Sequence, residues 1–129
     1  MSFKPHQNDN GLQPWEEFPA AAGTYVVGQA LKVTGGQVAA ITAATTTTPP
    51  YICMANATVA AGELLPVIRV QKDMIFETEL GAAAEAAAIG SKLQVAGGGL
   101  VVNASATGTF ELVALEGTEA GAIVRGRFN

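Results

Sequence analysis

The sequence predicts a mainly β protein: a small β-sandwich or barrel-like domain with hairpin repeats, one short helix and an extended N-terminal arm. Three observations carry that expectation. Short runs alternate between two faces, as in "DMIFETEL", where Met74, Phe76, Thr78 and Leu80 share one side and Asp73, Ile75, Glu77 and Glu79 the other. Glycine runs at 35–36 and 97–99 separate apolar stretches in the manner of hairpin turns. The chain also spells the same unit twice.

Along the chain, residues 1–22 hold Pro5, Pro14 and Pro19 and show no period of 2 or 3.6, so they read as an extended arm. Residues 23–129 read as a single β-rich domain of two similar halves, about 23–80 and 84–129. "TYVVGQALKV" alternates as one strand with Tyr25, Val27, Leu31 and Val33 on a face, and "QVAAIT" returns from the Gly35-Gly36 turn. "YICMA" and "LLPVIRV" are further strands. Pro66 has no N–H to give, which marks its strand as an edge strand or a bulged one. "AAAEAAA", residues 82–88, is the helical candidate, because Ala has the highest helix propensity, with Gly90 ending it. "SKLQV", "GLVVNA", "GTFELVALEG" and "AGAIVRGRF" complete the strands.

The repeat aligns at an offset of 62, matching Gly28 to Gly90, Leu31 to Leu93, Val33 to Val95 and Val38 to Leu100. Beyond the next loop the offset is 59: Tyr51 meets Phe110, Gly62 meets Gly121, and Leu64 and Leu65 meet Ile123 and Val124. A loop absorbs the difference at little cost. Two such half-sheets are expected to bury their apolar faces against each other.

Composition narrows the function. Ala, Gly and Thr number 24, 15 and 12 of 129 residues, so the core is built from small side chains and favours a partner or an oligomer. The net charge is −4 and the seven Lys and Arg are scattered, which argues against binding nucleic acid. No run of about 20 apolar residues is present, so no membrane span is expected. The N-terminal "MSFKPHQNDNG" lacks the apolar segment of a signal peptide, so assembly in the cytoplasm is expected. Cys53 is the lone cysteine.

No catalytic constellation emerges, and neither an enzyme nor a cofactor is expected. His6 stands in the unpatterned arm without ligands at metal spacing, and Cys53 between Ile52 and Met54 reads as a small buried hydrophobe. Glu77 and Glu79 share a strand face, which suits paired carboxylates but more simply makes a solvated face. The glycine runs lack the Lys-Ser/Thr of a phosphate loop. Candidate partner-binding residues are Leu12, Trp15 and Phe18 in the arm, apolar side chains in a polar setting, and Arg125 and Arg127 on one face of the last strand, placed for edge protection or for a neighbour's carboxylate.

The order of "FPAAAGTYVVGQALKV", "PPYICMANATVAAGELLPVIRV", "IGSKLQVAGGGLVV" and "GTFELVALEGTEAGAIVRGRF" resembles the phage head-decoration, or capsid cement, proteins of the lambda type. The resemblance implies a homotrimer bound to the major capsid protein on the outer surface of a virion. There it would stabilise the expanded shell, with the arm pairing with capsid β structure. On that view, removing residues 1–19 leaves a folded protein that no longer holds capsids. Another virion component, such as a head-fibre base or tail accessory protein, and a small ligand-binding β-sandwich are the alternatives.

Overall fold

A computed structural model of the chain describes residues 3–8 and 15–129, with the backbone alone at 6–8. The chain is mainly β. Thirteen strands follow in order: β1 (Lys4–Asn8), β2 (Trp15–Pro19), β3 (Gly23–Tyr25), β4 (Ala30–Thr34), β5 (Gln37–Ala40), β6 (Tyr51–Cys53), β7 (Ala57–Val59), β8 (Leu64–Arg69), β9 (Met74–Glu79), β10 (Lys92–Ala96), β11 (Val101–Ala104), β12 (Phe110–Leu115) and β13 (Ile123–Phe128). The first sheet runs β2-β8-β6-β4-β5, the second β1-β9-β13-β12-β10-β11, and β3 and β7 form a two-stranded ribbon. Neither large sheet closes into a barrel.

Apart from β1, the two sheets share one pairing scheme. Leu31 pairs with Tyr51 as Leu93 pairs with Phe110, and Tyr51 with Arg69 as Phe110 with Phe128. Pro19 opposite Leu64 becomes Glu79 opposite Ile123, and Glu16 opposite Val67 becomes Phe76 opposite Gly126. The connecting hydrogen bonds repeat as well. Gly28 N–H donates to Cys53 O at 2.7 Å and Gly90 N–H to Leu112 O at 2.8 Å; Ala21 N–H donates to Val38 O at 2.8 Å and Gly81 N–H to Val102 O at 2.9 Å. The offsets of 62 and 59 therefore hold in space up to the glycine turn. Past it, Val38 corresponds to Val102 and not to Leu100. Gly35-Gly36 is a two-residue turn with φ of 59° and 76°, whereas Ala96 pairs with Val101 across a four-residue connection containing a 3-10 turn at Gly97–Gly99.

The sheets stack the same way up, not apolar face to apolar face as the sequence suggests. Along strands of the first sheet, Leu31, Tyr51, Cys53 and Val67 face a cluster closed by the ribbon, with Tyr25 within it. The corresponding face of the second sheet, including Leu93, Phe110, Leu112 and Val124, packs instead against Ala30, Ile52 and Ile68 on the back of the first sheet. Alternation gives a short strand two faces to bury, and the first sheet buries both. On the back of the second sheet the row Ala30–Ile52–Ile68 is replaced by Lys92–Glu111–Arg127, paired in the same register. A face so rich in charge ends a stack, since it offers little apolar surface to a further sheet.

Several expectations change. Residues 82–88 form turns, not a helix. Seven residues repay helix nucleation poorly, and Ala84 N–H is instead drawn to Thr118 O at 2.8 Å. "TYVVGQALKV" is two strands broken by a turn at Val26–Gln29, where Gly28 takes φ 84°. The strand of Pro66 is internal, between β2 and β6, with no bulge in either pairing. Pro66 is tolerated because β6 ends at Cys53, opposite Val67, so the missing donor lies just past the ladder. The strand of Arg125 and Arg127 is likewise internal, between β9 and β12.

The N-terminal segment is extended, but it belongs to the body of the protein. β1 pairs with β9, β2 pairs with β8, and Phe3 is fully buried against Phe76, Phe110 and Phe128 at ring distances of 5.5–6.3 Å. The two units thus begin at β2 and β9, ahead of residues 23 and 84. Removing residues 1–19 deletes an edge strand from each sheet and an aromatic ring from the core, so a folded product is no longer expected.

Candidate interaction surface

Two surfaces combine exposed and charged groups: the β2 edge of the first sheet, which carries Trp15, and the outer face of the second sheet. At the edge, β2 is held by side chains of its neighbours. Arg69 grips Glu16 with two hydrogen bonds, Nε to Oε2 at 3.2 Å and Nη2 to Oε1 at 3.1 Å. The guanidinium also stands 5.4 Å above the Tyr51 ring, and the Phe18 ring packs 5.0 Å from the same tyrosine. Phe18 is therefore spent on the chain's own core. Trp15 is not. It continues the row Ala30–Ile52–Ile68, opposite Ile68, yet is 64% exposed. Its counterpart at the offset of 60 that joins β2 to β9 is Ile75, which is buried. Leu12 lies outside the described residues.

The outer face of the second sheet carries alternating charge. Lys4 pairs with Glu77 and Glu77 with Arg125 in the ladder, and Arg125 donates to Glu77 Oε2 from both Nε and Nη2 at 2.9 Å. Arg125 thus already holds a carboxylate of its own chain. Arg127, between Glu111 on β12 and the β9 strand, has a buried Nε without a partner among the described residues, as does Asn103 Oδ1. Glu79 lies opposite Ile123, so Glu77 and Glu79 belong to this charged face and Glu77 is committed to the ion pair.

The groups with reactive potential are placed as structural ones. Cys53 is fully buried, its Sγ–H directed to Ala55 O at 3.1 Å, and burial raises its pKa. Burial likewise raises that of Tyr25, whose hydroxyl donates to Ala21 O at 2.7 Å. His6 lies in β1, and its side chain is outside the described residues. Among the described residues no group of three or more His, Cys, Asp or Glu is disposed to hold a metal ion, and no helix is long and apolar enough to cross a membrane.

The exposure of Trp15 was legible as a choice between folding back and docking outward; its place in an aliphatic row was not, because that depends on the stacking of the sheets. The Arg69–Glu16–Tyr51 cluster left no signal, since its members are 53 residues apart or come from different strands. Comparison with models of known protein families finds none that matches this chain, and comparison with curated proteins finds no match.

Proposed function

We propose that this chain is a structural virion protein that binds the outer surface of a phage capsid as a homotrimer and stabilises the expanded shell. The observation that carries the reading is the uncovered Trp15 on the open strand β2, an aromatic anchor beside an unpaired sheet edge. The remaining architecture supports it. Ion pairs such as Arg125–Glu77 and Arg69–Glu16 tie strands together, and the Cys53 thiol is walled in. What the molecule turns outward includes strand edge, a charged sheet face and exposed apolar side chains such as Trp15, Leu64 and Ile89.

A protein of this kind gains its effect by mass action. Binding only the expanded lattice lowers the free energy of that state and of no other. Modest contacts repeated around a symmetric shell add through avidity. Both N-terminal strands are built into the protein's own sheets, so Trp15 and the β2 edge support the homotrimer, and capsid contact is assigned to the charged outer face of the folded unit and not to a free arm.

The test is co-sedimentation of the purified chain with heads of the phage that encodes it. Saturable binding to expanded heads, with none to unexpanded ones, is expected. Equal binding to both, or to neither, overturns the reading.

A further inference from the structure

The two units differ at one place where the first is filled and the second is hollow. In the first, Tyr25 precedes the Val26–Gln29 turn and its ring lies in the same buried cluster as Leu31. The matching turn of the second unit is set by the same bonds: Gln29 N–H donates to Val26 O and Ser91 N–H to Ala88 O. Even the side-chain bond recurs, with Val26 N–H donating to Gln29 Oε1 and Ala88 N–H to Ser91 Oγ. The counterpart of Tyr25 is therefore Ala87, and that of Leu31 is Leu93. Ala87 and Leu93 are walls of an open groove of about 570 Å³, together with Ala84, Glu85, Ser91 and Lys92. Where one unit inserts a phenol ring, the other has Ala87 and an open groove with ample room for an aromatic side chain.

The asymmetry has a complement on the same molecule. Trp15 is uncovered where its own counterpart is buried. Glu17, two residues on and on the same strand face, is exposed, and the groove rim carries the exposed Lys92. Glu85 supplies an acceptor suited to an indole N–H. We propose that the groove of the second unit receives Trp15 of a second copy of this chain, with Glu17 meeting Lys92. The inference rests on the homotrimer proposed above and names its contact. Because donor and acceptor patches differ, the contact is head-to-tail, the type that closes into a ring.

Trp15 is the sole tryptophan, so its fluorescence reports the contact directly. Light scattering of the full chain over a dilution series should give three times the mass of one chain at high concentration, with Trp15 emission moving to the blue as the oligomer forms. Ala87→Tyr, which refills the groove as in the first unit, should give the mass of one chain and emission that stays red at every concentration. Trp15→Ala, at an exposed position that leaves the fold intact, should also give single chains. Glu17→Lys or Lys92→Glu should each weaken association about two- to fivefold, and the double exchange should restore it. A trimer that survives Trp15→Ala, with a native circular dichroism spectrum, overturns this contact and leaves the homotrimer standing. A wild-type chain of single mass throughout overturns both, while co-sedimentation with expanded heads still decides capsid binding.

Discussion

The N–H of Phe3 donates to the carbonyl of Gly28 at 2.7 Å, joining the N-terminal strand of the second sheet to the turn that opens β4 of the first. The same residue buries its ring between the sheets. One residue near the start of the chain thus ties both units. Phe3→Ala should cost about 3–5 kcal/mol, read as a lower urea midpoint. A loss below about 1 kcal/mol would mean that the segment is dispensable to the fold.

Stacking the same way up makes two matched positions behave in opposite ways. Ile52 and Glu111 occupy equivalent places, but Ile52 is sealed between the sheets and Glu111 lies on the outer face. Ile52→Glu would leave a buried, unpaired carboxylate and should cost about 3–5 kcal/mol. Glu111→Ile should change stability by less than about 1 kcal/mol. Similar costs in chemical denaturation would contradict the stacking.

Glycines separate by the space around them. A Cβ on Gly126 would run into the carbonyl oxygen of Glu111 and the Phe110 ring, because β13 passes close to β12 where Val67 sits in the first sheet. Gly126→Ala should cost about 2–3 kcal/mol. Gly121, with φ 86° and open space beside it, should lose about 1–2 kcal/mol on change to Ala, from backbone strain alone. Thermal unfolding of the two variants should rank them in that order.

Alkaline pH should destabilise the fold through Cys53 and Tyr25. Burial raises both pKa values above their ordinary 9.0 and 10.0, so the folded state holds these protons longer than the unfolded chain does. Stability is therefore full below about pH 9 and falls as pH rises through the ordinary range toward the raised values. Cys53→Ala should flatten the part of the decline that begins near pH 9, measured by urea titration at several pH values. An unchanged profile would show that the thiol ionises as freely in the folded state as in the unfolded one.

Much of the β architecture was legible because it is local. Alternation placed Met74, Phe76, Thr78 and Leu80 on one face, and the glycine turns and the offsets of 62 and 59 located the shared pairing up to Gly36 and again from Tyr51. The alignment slipped at Val38 because the second turn is longer, and turn length leaves little trace among glycines. The N-terminal strands were hidden for a different reason. β1 contains Pro5 and an irregular register between Pro5 and Gln7, and β2 pairs on one side only, so neither shows a clean two-residue period. Propensity misled at 82–88, where Ala favours helix but tertiary bonds to Thr118 and Leu112 hold the flanks in turns. Of the candidate surface, Trp15 and the arginines were visible as residue types; which face each joins depends on sheet stacking, which no local pattern encodes.

The most direct test of the capsid reading is electron cryomicroscopy of expanded heads assembled with and without this chain. The account predicts added density on the outside of the shell, three-fold in symmetry and matched by the two stacked sheets. Heads with identical exteriors in the two preparations, or density confined to the tail, would contradict it.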